Sequence, residues 1–317
     1  MGRERIAAGA SVASAVSVQV GAALGATIFP LVGPAGVVAL RQAVAAVALL
    51  AVTRPRLRGA GWSNLRPALL LGIVLVVMNA SLYGAVERIG LGPAVTLEFL
   101  GPLAVALLGS RRRLDLLCAA MAGVGVVLLT GTVPGLDPIG ILLGLAAAAA
   151  WAAYIVLSQR AGRTLPGLQA TAIASLVAAA LTSPLLVIAV IGLAPRELLH
   201  VALIGLAAGV LSSALPYSID LVVLRRLPRQ LFGVLQSVHP AAAALAGLVV
   251  LGQALGSWQV AGLALITLGN LVAVGRARPA ASLAEVPSEV AAAPGTAAAP
   301  TAVPQPPRRL PEAPVIG

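Results

Sequence analysis

Long apolar runs alternate with short, arginine-bearing polar breaks from about residue 8 to residue 275. The runs fall at 8–29, 35–53, 67–86, 91–110, 115–132, 138–158, 168–192, 200–223, 231–251 and 258–275. Each is close to the ~20 residues that an α-helix needs to cross the ~30 Å hydrocarbon core of a bilayer. None shows the alternation of a barrel strand, and a backbone in hydrocarbon must satisfy its hydrogen bonds within the segment, so the runs predict helices. Their wealth of Gly and Ala suits helices that pack closely on one another. The fold class predicted is all-α integral membrane, with about ten transmembrane helices. The pattern then stops: 277–317 is rich in Pro and Ala, has no apolar face to bury, and predicts a disordered tail.

Composition agrees with lipid as the solvent. Hydrophobic residues make up 59% of the 317 and charged ones 10%, against roughly 25% charged in a soluble domain. The net charge of +11 would point to nucleic acid in a soluble protein, but the basic residues, all arginine, sit between apolar runs. With the N-terminus inside, eighteen of the 21 fall on inner loops and termini, Arg88 and Arg196 fall outside, and Arg41 lies within a span. That asymmetry predicts an even number of spans with both termini cytoplasmic, in the cell membrane. The opening MGRER and its apolar stretch read as a retained first helix, since the stretch is too long for a signal peptide and further spans follow. The single cysteine, Cys118, cannot form an internal disulfide or a structural zinc site. No cofactor or metal site is expected.

An internal echo suggests two halves. RIGLGPAVTLEFLGPLAVALLG at 88–109 aligns with RLPRQLFGVLQSVHPAAAALAG at 226–247 at a constant offset of 138, which pairs Leu97 with Leu235, Pro102 with Pro240 and Gly109 with Gly247. Two units follow, 1–132 and 133–276, each of five helices. An odd number per unit makes them enter the membrane from opposite sides, the inverted-repeat plan of secondary transporters, with a substrate site near mid-membrane.

Four segments carry a resemblance. QVGAALGATIFPLVGPAGVVALR at 19–41, RP at 54–55, ERIGLGPAVTLEFLGPLAVALLGSRRRLD at 87–115 and LPYSIDLVVLRRLPRQLFGVL at 215–235 resemble the threonine/homoserine exporter (RhtA-like) branch of the EamA transporters, in the drug/metabolite transporter superfamily. The likeness runs from about residue 10 to 275. It implies ten helices in two five-helix repeats and ion-driven efflux of small metabolites, amino acids among them. Two positions depart from the family's pattern: His239 stands in SVHPAAAAL where a Glu is usual, and Gln253 in LGQ where an acid is usual.

Polar groups at membrane depth are costly, which makes them candidates for function. Glu98, midway along the fourth run, reads as a protonatable group or a partner for a substrate ammonium, or else as a structural carboxylate locked to Arg41. Arg41, two turns into the second run, reads as a receptor for a substrate carboxylate, as a partner of Glu98, or as a side chain snorkelling to the interface. Gln19, Asn79, Tyr83, Gln236 and His239 are candidate cavity-lining groups; Gln236, His239 and Pro240 share a helical face, as do Asn79 and Tyr83. Asn270 reads as structural. Asp220 and Tyr217, after Pro216, read first as an irregularity near a helix end, and Asp115 as a neutraliser of its arginine neighbours.

These residues favour an exporter working by alternating access over a membrane-embedded enzyme: no Ser/His, paired-Asp or His/Glu metal set occurs at depth, and no nucleotide-binding P-loop is present. The expected substrate is an amino acid such as threonine or homoserine, coupled to protons. A flippase for an amphiphilic or lipid-linked metabolite is the alternative. The expected partners are a small-molecule substrate and the lipid bilayer, without nucleic acid, and a homodimer stays open.

Overall fold

In the computed structural model the apolar runs are helices. Residues 2–54, 61–107, 137–226 and 238–276 are described, with scattered positions between 114 and 128 and residues 232 and 236; for 2–8, 106–107, 270–271 and 273–276 the backbone alone is described. Most of the predicted fifth span, Cys118, Asp115 and the 277–317 tail lie outside the described residues, as does the Asn270 side chain.

The elements are α1 (Gly2–Ala26), α2 (Phe29–Thr53), α3 (Trp62–Ile89), α4 (Leu91–Glu98), α5 (Leu100–Leu107), α6 (Pro138–Thr164), α7 (Gln169–Val190), α8 (Pro195–Gly209), a π-helical turn (Val210–Ala214), α9 (Leu215–Arg226), α10 (Val238–Leu251) and α11 (Ser257–Arg276). Among the described residues six helices are long and apolar enough to cross a membrane: α1, α2, α3, α6, α7 and the continuous rod from Pro195 to Arg226. Their outer faces are apolar, with Val47 and Ile188 each 70% exposed, and so is that of α10, with Val249 73% exposed. Such faces are a liability in water and natural in lipid. The protein is a multi-pass membrane protein.

Three irregularities shape the interior. In α2, Gly33 adopts φ 66°, a conformation open to Gly, and with Pro34 beside it kinks the helix. The fourth run is not one helix but two, parted at Phe99 immediately after Glu98. The eighth run is longer than 200–223 and passes through the π turn. The first run also ends earlier than read, at Ala26, because Pro30 fits the first turn of a new helix.

Packing follows a regular scheme. α1 lies against α8, α9 and α10, α6 lies against α3, α4 and α5, and α2 packs on α7. α5 meets α6 so closely that a Cβ on Gly101 would stand 2.0 Å from the Ala148 carbonyl oxygen. Leu71, Leu75, Phe99, Trp151 and Tyr154 belong to one buried cluster at this junction.

The helix ends are tied by polar contacts. Arg88, at the end of α3, pairs with Asp137, whose other oxygen accepts the Ile139 N–H at 2.8 Å and caps α6. Arg88 first, and that N–H second, hold the Asp137 carboxyl below the usual carboxylate range. At the opposite end of α6, Arg225 donates to the Gly162 and Leu165 carbonyls at 2.8 and 2.5 Å. Gln253 Oε1 accepts the Leu91 N–H at 3.1 Å, so the amide at a position where an acid is usual caps α4.

Candidate functional site

A cavity opens between α1, α2, α3, α4, α6, α9 and α10, with about 490 Å3 of empty space when its mouth is included. Arg41, Asn79, Glu98, Gln236 and His239 line it, five of the seven residues singled out from sequence. Gln19 and Tyr83 stand behind the wall, each in contact with a lining residue.

Arg41 is buried by the irregular rod. Its Nη2 donates to the Ser212 carbonyl at 2.6 Å and its Nε to the Ser213 hydroxyl at 3.2 Å, both in the π turn. The guanidinium lies over the Tyr83 ring, 4.8 Å from its centroid, a cation–π contact. Nη1 is buried without a partner. The arginine therefore does not snorkel to an interface. It is fixed on two sides and has one donor left over.

Glu98 shares the cavity with Arg41 but does not pair with it. Among the described residues the one ion pair is the surface contact of Arg88 with Asp137. The alternative reading, a Glu98 locked to Arg41, is thus not met, and burial of a carboxylate and a guanidinium in one cavity leaves each with unspent attraction for an opposite charge. Glu98 is the last residue of α4, where the helix is interrupted, and it is 4% exposed.

The second arm of the cavity is neutral. Gln236 sits at a turn before α10, and its Oε1 accepts from the Ser11 hydroxyl at 3.4 Å. His239 Nδ1 lies 2.8 Å from Gln19 Nε2, and the imidazole meets the Trp151 ring edge-on at 4.9 Å. Asn79 Nδ2 donates to the Leu75 carbonyl at 2.7 Å and to the Tyr217 hydroxyl at 3.0 Å.

The structure also brings in residues that the sequence reading set aside or missed. Asp220, read as an end effect, lines the cavity at 6% exposure. The Tyr154 hydroxyl donates to its Oδ2 at 3.2 Å, while Oδ1 is buried without a partner. Trp151, Tyr154, Ser212 and Tyr217 complete the polar and aromatic wall. A signal was present: Trp151 and Tyr154, like Tyr217 and Asp220, are three apart and share a face on otherwise aliphatic helices.

A bundle of apolar helices around a buried cavity holding unpaired opposite charges defines a membrane transporter for small molecules. The chain belongs to the EamA-like transporter family, whose pattern matches residues 138–275. The threonine/homoserine exporter RhtA of Escherichia coli (strain K12) is 42% identical over 263 residues, 81% of this chain and 85% of that protein. RhtA of Salmonella typhimurium (strain LT2) is 41% identical over 261 residues, 80% and 86% of the two chains. A solved crystal structure with 26% identity superposes with a TM-score of 0.63, over 86% of this chain and 99% of its own.

Proposed function

We propose that this protein is a secondary exporter of amino acids, threonine and homoserine first among them, working by proton-coupled alternating access across the inner cell membrane. The observation that carries the reading is Arg41 and Glu98 in one buried cavity without an ion pair between them. Opposite charges held apart in a low-dielectric site attract the two ends of a zwitterion far more than charges in water do. Arg41 offers its unpartnered Nη1 to the substrate carboxylate. Glu98 takes up and releases the proton, so that the cavity changes charge between its two conformations. The identity to the RhtA exporters supports the substrate class.

The architecture proposed is ten helices in two inverted repeats, 1–132 and 133–276, with both termini cytoplasmic and 277–317 a disordered tail. Exchange of the halves turns the contacts of α1 with α8, α9 and α10 into those of α6 with α3, α4 and α5, and supports this plan. Glu98, at the edge of the interruption, and Gln236, at the turn, support it too, being 138 residues apart, the offset of the sequence echo.

The test is efflux from proteoliposomes loaded with labelled threonine, homoserine and a panel of other amino acids, with and without an imposed pH gradient. Gradient-dependent efflux is expected for the wild type, and Glu98→Gln is expected to bring it to background. A folded protein that moves no amino acid would end the amino-acid reading; efflux surviving Glu98→Gln would remove Glu98 from coupling.

A further inference from the structure

The cavity holds one acid more than it has cations: beside Arg41 it contains not one carboxylate but two, Glu98 and Asp220. An α-amino acid brings one negative and one positive end. Arg41 is matched to the first, and one carboxylate is enough for the second. Which of the two serves is decided by what surrounds each.

Asp220 is a carboxyl group held in one orientation. Tyr154 holds Oδ2 by a hydrogen bond of 3.2 Å, which sets the orientation of the carboxylate and leaves Oδ1 buried, unpartnered and in a cavity wall. The Tyr154 ring stands 6.1 Å, centroid to centroid, from that of Tyr217, which lines the same cavity, the two tilted at 48°. A carboxylate oxygen beside aromatic rings is the chemistry that recognises an ammonium group, through a charge-assisted hydrogen bond and cation–π attraction. Tyr217 is held in turn by Asn79 at 3.0 Å, so the wall is supported from α3 as well as α6. Glu98 lacks such a frame: it stands at an interruption between two short helices.

The spacing agrees. Arg41 is bound to the carbonyl of Ser212, and Asp220 lies eight residues further along the same rod. That is a rise of about 12 Å. The Asp220 side chain leans back toward the N-terminal end, as helical side chains do, and the rest is of the order of two hydrogen bonds and an amino-acid backbone.

We propose that Asp220 is the ammonium-binding residue of the transport cavity, with Arg41 as its carboxylate-binding counterpart. This assignment rests on the amino-acid reading above and leaves Glu98 free for the exchanged proton. It also predicts the substrate class more narrowly: a ligand must carry both charges, on neighbouring carbons, to engage both residues at once.

The test is ligand binding by purified full-length protein, read from the fluorescence of Trp151 in a Trp62→Phe, Trp258→Phe background, both replaced residues being exposed. The probes are threonine, 3-hydroxybutyrate, which lacks the ammonium, and 1-amino-2-propanol, which lacks the carboxylate. Asp220→Asn is expected to weaken threonine and 1-amino-2-propanol at least tenfold while 3-hydroxybutyrate changes less than twofold. Asp220→Glu keeps the charge and is expected to retain 1-amino-2-propanol within about threefold, which keeps the proposal testable if the Asn variant does not fold. Equal loss of all three ligands in either variant when folded, or unchanged threonine binding in Asp220→Asn, would overturn the assignment. A wild type that binds none of the three would instead overturn the amino-acid reading beneath it.

Discussion

The two arms of the cavity, which the proposed repeat would match to one another, are dressed differently. One is the interruption between α4 and α5, where Glu98 faces the cavity with no ionic partner. The other is the turn before α10, where Gln236 is met by Ser11 and His239 by Gln19, both from α1. The first arm packs by close backbone approach, Gly101 against Ala148, and keeps its charge available. The second is stapled to its neighbour by neutral hydrogen bonds. The twofold plan proposed above thus does not require twofold chemistry. One arm can be given the charge that changes and the other the contacts that hold.

The largest effect is expected where the first arm touches α6. Gly101→Leu puts a side chain against a backbone oxygen that has no rotamer to yield with, and overpacking already costs ~1–3 kcal/mol in softer surroundings. The variant should fail to accumulate as a monodisperse protein in size-exclusion chromatography; normal accumulation would show that α5 and α6 are not locked together. Moving the charge sharpens the comparison further. In the double variant Glu98→Gln, Gln236→Glu the carboxylate is transferred to the second arm, and gradient-driven efflux is expected to stay at background because Ser11 engages that position. Recovered efflux would make the arms interchangeable.

Smaller effects are expected at the staple. Gln19→Ala leaves His239 Nδ1 buried without its partner, a loss of about 1–3 kcal/mol, and should lower the melting temperature by several degrees while threonine efflux persists. An unchanged melting temperature would mean that the contact does not hold the arm. The smallest effect concerns the surface tie of α3 to α6. The Asp137 carboxyl is depressed in the folded state, so its contribution is complete above the ordinary carboxylate range and fades as pH falls through it. Asp137→Asn should lower stability slightly at neutral pH and not at all in strong acid; an equal loss at both would assign the effect to packing. Exposed pairs of this kind contribute little.

Much of this was legible because hydrocarbon makes polarity conspicuous. Glu98 and Arg41 stand out in apolar runs, and both are in the cavity. Their mutual distance was not legible, since it depends on the Ser212 and Ser213 contacts that draw Arg41 to the π turn. His239 and Gln19 are 220 residues apart, and nothing local in either run announces the pair. Asp220 was misjudged for a simpler reason. Ending the run at 223 put it at a terminus, whereas the helix continues to Arg226 and carries Asp220 inside. The interruption at Phe99 was marked by a residue beyond it: Pro102 has no N–H for the Glu98 carbonyl four residues back, a signal that reading 91–110 as one run passed over.

The π turn has a consequence for chain register. A π turn holds one residue more than an α-helical turn of the same rise, and each residue of an α-helix rotates the next side chain by about 100°. Everything after Ala214 is therefore swung round relative to an unbroken helix. Tyr217 and Asp220 face the cavity because of a single surplus residue. Deletion of one residue between Val210 and Ala214 would restore a regular helix and turn that acid toward the lipid. In evolutionary terms, an insertion of one amino acid is enough to bring a carboxylate indoors.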